Sequence, residues 1–139
     1  MYVSDEAILA GLARDRFAAA NGIELIEARP GYARTRLTPG EQHRNCVDLV
    51  HGGAIFTLAA TAFFAAANSW GNTALGTNMT ISCLRPARGG TLEAEATEVS
   101  RSRRLSTCSV RVTDEEQQLV ALFQGTAFIK EERFPKDEG

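Results

Sequence analysis

Cysteine is scarce in this chain, and neither sign of charge dominates. The three cysteines, Cys46, Cys83 and Cys108, are widely spaced and odd in number, which argues against a disulfide framework and against a Cys-x-x-Cys metal site. A reducing cytoplasm is therefore the expected setting. A net charge of -2 over 139 residues gives no general pull toward nucleic acid or an anionic membrane. Clustered metal ligands and a basic surface with interleaved aromatics are missing too, so no metal, no cofactor and no nucleic acid is expected. The first residues, "MYVSDEAILAGLARDRF", carry acids and no sustained apolar core, which is unlike a signal peptide. Charge is absent altogether from Gly52 to Leu84. The first half of that run approaches the length of a membrane span, but it is mostly alanine with Thr57, Thr61, Asn68 and Ser69, residues suited to close packing inside a protein; no membrane helix is expected.

What is present fits one domain spanning 1–139. Ala7, Ile8, Leu12 and Phe17 recur near helical spacing, with Ser4 placed to cap, so residues 1–20 read as an amphipathic N-terminal helix. "IELIEARPGYARTRLTP" alternates apolar and polar residues around Pro30-Gly31, the pattern of two paired strands. "GEQHRNCVDLV" has no period and reads as a loop into His51-Gly52-Gly53. From about Gly53 to Asn68 an alanine-rich helix is apolar nearly all round, so it must be surrounded. Four strand-like segments follow, Ala74 to Leu84, Leu92 to Val99, Leu105 to Thr113 and Leu119 to Ile129, separated by turn-like or charged stretches. A charged tail over 131–139 is expected to fray. Six strands and one apolar helix pack most simply as an α+β fold in which an antiparallel sheet wraps the helix. One sheet edge would stay open, so a dimer is expected.

Asn45, the "HGG" at His51 to Gly53, the following "AIFTLA-TAF-AAANS", "LRPA" at Leu84 to Ala87 and "DEEQQLVALFQGTAFI" together resemble the hotdog-fold acyl-CoA thioesterases, in particular the phenylacetate-pathway (PaaI-like) branch. The resemblance implies a helix wrapped by a sheet, a homodimer or a dimer of dimers forming a homotetramer, and an active site at the dimer interface that takes an acyl-CoA thioester as substrate. One subunit would supply the turn and helix start, and its partner a carboxylate from the middle of the same helix.

Independently of the resemblance, a helix start offers unpaired N–H groups and the positive end of the macrodipole, which can polarise a thioester carbonyl and stabilise the oxyanion. Gly52 is the expected donor, since glycine leaves the backbone open to a ligand. Gly53 lies beside it as a substrate contact. By analogy with the family, Asn45 orients the attacking water or the reacting group. His51 is expected to shape the turn rather than act as the base.

Family members carry Asp or Glu nine residues beyond the histidine, where this chain has Ala60. Water needs a base, or a carboxylate that attacks directly, and alanine supplies neither. Thr57 and Thr61 are not basic enough to substitute; Asp48 reads mainly as a solvated loop residue and only secondarily as a substitute base. Two explanations follow: a naturally degenerate member that binds acyl-CoA without cleaving it quickly, or a replaced aspartate. The intact pattern around position 60 favours the second. Either way the architecture reads as a thioesterase that hydrolyses a thioester to free acid and CoA, and this chain as a weakened one.

For the phosphates of CoA the densest basic cluster is Arg101, Arg103 and Arg104, whose plain alternative is a solvated hairpin turn; Arg85 and Arg88 are weaker candidates. Thr77 lies near where related enzymes place a hydroxyl, and Phe63 or Phe64 could wall an acyl pocket. The branch resemblance suggests an aromatic acyl group. A hotdog dehydratase would need His51 paired with a helical acid, which the chain lacks. A non-catalytic acyl-CoA-binding dimer is the other alternative that Ala60 makes credible.

Overall fold

The computed structural model describes residues 6–135. Two short helices, α1 (Glu6–Leu12) and α2 (Arg16–Ala20), are followed by β1 (Ile23–Arg29), β2 (Tyr32–Leu37), the central helix α3 (Gly52–Asn68), β3 (Asn72–Cys83), β4 (Leu92–Arg101), β5 (Leu105–Thr113) and β6 (Leu119–Arg133). The strands form one six-stranded sheet in the order β1-β2-β4-β5-β6-β3, every neighbouring pair antiparallel.

The sheet curls around α3, and one face of the helix carries the core: Ile55, Leu58, Ala59, Ala62, Phe63, Ala65, Ala66 and Ala67 are buried against the inward residues of the strands. Alanines let the strand backbones approach the helix closely. At Gly125 on β6 the approach is tightest, because a Cβ there would stand 2.9 Å from three atoms of the Phe63 ring. The opposite stripe of α3 is covered only in part. Phe56, Thr57, Ala60, Thr61 and Phe64, spaced three and four residues apart, are only half-buried. The helix that sequence alone makes apolar all round is thus enclosed on the sheet side and only partly covered on the other.

Both ends of α3 are pinned. His51 caps the start, its Nδ1 accepting from Gly53 N–H at 2.8 Å. At the other end the buried Asn68 side chain donates to the carbonyls of Phe64 and Ala74 and accepts from Ala74 N–H, so its polar groups are paired while it turns the chain into β3. Glu98, with a side chain only 7% exposed, accepts from Trp70, Arg101 and Ser106 and ties the β4–β5 hairpin to this end of the helix.

The N-terminal segment differs from the single helix its periodicity predicts. The chain leaves the helix at Ala13, and Asp15 begins a second one by accepting from Ala18 N–H at 2.9 Å. The cap ends the first face: Ile8 and Leu12 are buried, whereas Phe17, five residues beyond Leu12, is 67% exposed. Ser4 lies outside the described residues. The charged tail begins later than its composition predicts: β6 continues to Arg133 alongside Asn72, and Phe134 packs edge-on against Phe64 with ring centroids 6.1 Å apart. Residues 136–139, the rest of that tail, also lie outside the described residues. This is the hotdog fold that the resemblance implies.

Candidate active site

The segment before α3 is a tight hairpin. His51 N–H bonds to the His43 carbonyl at 2.7 Å, Arg44 and Val50 form a bridge, and Asn45 N–H bonds to the Leu49 carbonyl at 2.8 Å. This pairing sets Asn45 beside the turn that starts the helix. The Asn45 side-chain oxygen accepts from Val47 and Leu49 N–H, both at 3.0 Å, which holds the loop and leaves the Nδ2 hydrogens as donors for a ligand. Asp48 closes the hairpin in the left-handed region at φ 63°, and its carboxylate is 88% exposed with an Arg44 contact at 3.8 Å. Solvent holds it, not the helix.

Gly52 opens α3 with its N–H free of any acceptor among the described residues, and nothing lies within 4 Å of the point where a Cβ would stand. Gly53 is engaged instead: its N–H goes to His51 Nδ1, and a Cβ there would stand 2.9 Å from that nitrogen. Since Nδ1 accepts, His51 is the neutral tautomer with its proton on Nε2, which suits shaping the turn.

Ala60 stands eight residues along α3 from Gly52, about 12 Å at 1.5 Å per residue. A reacting carbonyl carbon would need to lie about 3 Å from both the donor and the attacking group, so these two positions of one chain cannot serve the same carbonyl. Ala60 instead lines a cavity of about 280 Å³ with Phe56, Thr57, Thr61, Phe63, Phe64, Gly76, Met79, Phe17 and Asp15. The cavity is predominantly apolar. Thr57 and Thr61 spend their hydroxyl protons on the carbonyls of Gly53 and Thr57, at 2.8 and 2.7 Å. Thr77 sits at an irregularity of the β3–β6 register, and its hydroxyl donates to the Thr126 carbonyl at 3.1 Å.

The arginines divide. Arg101 is committed: its NH1 donates to Glu98 at 2.8 Å and its guanidinium lies 5.4 Å from the Trp70 ring. Arg103 and Arg104 have only long contacts to Glu131, 3.9 Å each, with side chains 81% and 48% exposed. All three belong to the end of α3 remote from Gly52 in the same chain. Beside the Asn45 hairpin the structure gathers Arg44 and Arg88 around a cavity of about 740 Å³. Arg44 was not legible as a site residue, because it becomes one only when the hairpin folds back. Asp15, far from Ala60 along the chain, was missed for the same reason. Cys108 can be set aside as a nucleophile: burial pushes its thiol up to about 11, against the lowering effect of the Ser106 hydrogen bond and with the Glu98 charge adding to it. Among the described residues no group of three or more His, Cys, Asp or Glu could hold a metal ion, and no helix is long and apolar enough to cross a membrane.

The sequence profile described as "Thioesterase superfamily" matches residues 48–121, more than half of the chain. The chain belongs to the thioesterase superfamily. Within that superfamily it is 37% identical over 112 residues to "Acyl-coenzyme A thioesterase PaaI" of Escherichia coli, covering 80% of each chain. It is 36% identical to a "Putative esterase" of Archaeoglobus fulgidus, covering 80% of this chain and 73% of the other. The solved E. coli PaaI structure superposes with a TM-score of 0.85 at 34% identity, covering 89% of this chain and 91% of that one. A Streptococcus mutans protein solved bound to acetyl CoA superposes with a TM-score of 0.74 at 25% identity, covering 78% of this chain and 88% of that one. These relationships class the chain as a PaaI-like hotdog thioesterase.

Proposed function

We propose that the protein is an acyl-CoA thioesterase working as a dimer or a dimer of dimers, and that Ala60 slows its hydrolytic step. The observation that carries this reading is Gly52: an exposed helix-start residue whose N–H has no acceptor among the described residues and beside which nothing lies within 4 Å of the point where a Cβ would stand. A thioester carbonyl oxygen accepting there meets the positive end of α3, and the negative charge that develops on attack is stabilised in place. Asn45 Nδ2 is left free to orient the attacking water. A relative solved with acetyl CoA supports the substrate class. The PaaI relative, from a phenylacetic acid degradation operon, supports an aromatic acyl group, which the ring-lined cavity at Ala60 would accept.

Two features support self-association. β3 is an edge strand without a single charged residue over Asn72–Cys83, whereas the other edge, β1, is blunted by Glu24, Glu27 and Arg29. The cavity at Ala60 opens beside that uncharged edge, through Gly76 and Met79, so a second copy paired there would bring its own Gly52 toward this Ala60. On the outer face Leu75, Phe128 and Leu105 stand in register across β3, β6 and β5, each 40–48% exposed, a patch that would suit a second dimer. For CoA phosphates, Arg103 and Arg104 are available at one end of the helix and Arg44 and Arg88 at the other. Free thiols at all three cysteines support a reducing cytoplasm.

Alanine at position 60 leaves no base on the helix. Restoring a carboxylate with Ala60→Asp should raise thiol release from an acyl-CoA at least tenfold, followed with a thiol-reactive dye. A rise smaller than that would show that position 60 does not hold the base. Calorimetric binding of a CoA thioester with no turnover even in Ala60→Asp would favour a non-catalytic binding dimer.

A further inference from the structure

Of the residues that line the cavity at Ala60, Asp15 alone is ionisable. It comes from the start of α2, not from the helix, and is half-buried between the flanking Arg14 and Arg16. Its Oδ1 accepts from Ala18 N–H at 2.9 Å, while Oδ2 has no bond to a described residue. The hydrogen bond fixes the carboxylate against the backbone and leaves one oxygen to accept from water. The two hydroxyls in the same cavity have given their protons to backbone carbonyls and cannot take one from water at neutral pH. Alanine at position 60 leaves space beside the helix where a carboxylate would otherwise stand. A water in that space would have Asp15 as the sole available base among the cavity's lining residues.

We infer that Asp15, reaching the cavity from the N-terminal segment, is the catalytic base for hydrolysis in this chain in place of the carboxylate missing at Ala60; this rests on the thioesterase reading above. The step balances with water as co-reactant. Asp15 takes a proton from water as the water oxygen bonds to the thioester carbon, and the carbonyl electron pair moves onto the oxygen held at the helix start of a second copy. The tetrahedral intermediate then collapses and the carbon–sulfur bond breaks. The sulfur leaves with the bonding pair and receives the proton from Asp15, giving free acid and CoA thiol and restoring the carboxylate.

Asp15→Asn separates the base from the cap, because asparagine caps a helix as well as aspartate but cannot take the proton. The native chain, Asp15→Asn, Ala60→Asp and the double variant are compared by thiol release from an acyl-CoA, with thermal melting of each. Asp15→Asn is expected to melt with the native chain and to lose about 10² to 10⁴ of kcat/KM. In the Ala60→Asp background the same change should cost less than about threefold, because a carboxylate on the helix then takes the proton. The inference is overturned if Asp15→Asn keeps activity within about threefold, or if it costs as much in the Ala60→Asp background as in the native chain. It is also overturned if the native chain is inert while Ala60→Asp is active, a result that leaves the thioesterase reading standing. Inactivity of all four proteins toward acyl-CoA would remove that reading and the inference with it.

Discussion

Two adjacent glycines begin the central helix, and they are not equivalent. At Gly53 a methyl group would collide with the capping nitrogen of His51, whereas at Gly52 it would meet open space. Gly52→Ala should therefore fold normally, with stability within about 0.5 kcal/mol of the native chain. If a thioester accepts from the Gly52 N–H, as proposed, a methyl on the same residue narrows its approach. We expect kcat/KM to fall by about tenfold or more with an unchanged melting temperature, since removing an oxyanion donor outright costs about 10² to 10³. Unchanged turnover would show that the carbonyl does not bind there. The contrast was half legible in the sequence. A glycine pair before an apolar run marks a helix start, but which N–H the cap consumes depends on the His51 ring, and that is a matter of folded geometry.

Among the elements, β2 and β4 are joined on their outer face by Arg34 and Arg36, which donate to the two oxygens of Glu93 at 3.0–3.2 Å. Burial alone would raise the Glu93 carboxyl, but the two arginines outweigh it and hold the group below its usual value of 4.5. A depressed folded pKa stabilises the fold above the unfolded value, and this is lost as pH falls below about 4.5 through the folded one. Glu93→Gln should thus lower the melting temperature at about pH 7, and the difference from the native chain should shrink as pH falls below about 4.5, as read by thermal melts along that series. Inside the sheet, Gly125→Ala would press a methyl into the Phe63 ring, and overpacking of this kind costs about 1–3 kcal/mol, measurable by urea unfolding. The strands themselves were readable from sequence because turn-like or charged stretches punctuate them; β5 begins and ends at the expected residues. The break between α1 and α2 was not, since its signal is the cap bond that Asp15 accepts from Ala18 N–H; the only sequence hint is that Phe17 stands five residues beyond Leu12, off the buried face of Ile8 and Leu12. Nor was the extension of β6, because charged residues suit a solvent-facing strand end as well as a tail.

For the whole molecule, the long helix and its sheet followed from pattern, while the candidate site did not follow as completely. Asn45, His51 and Gly52 are close in sequence and could be grouped from it. Asp15 and Arg44 join the two cavities only through the way the chain folds back, and no local signal marks either. The partly covered stripe on α3 has the same origin: composition shows that the helix is apolar, but not which side the sheet leaves bare.

That bare side carries a consequence for enzymology. If the cavity at Ala60 holds the acyl group, as proposed, and another protomer completes its wall, selectivity among acyl groups belongs to the assembly and not to the polypeptide. Specific activity should then decline on dilution in step with the loss of dimer seen by sedimentation, and a single charge set into the rim, such as Met79→Lys, should steepen that decline.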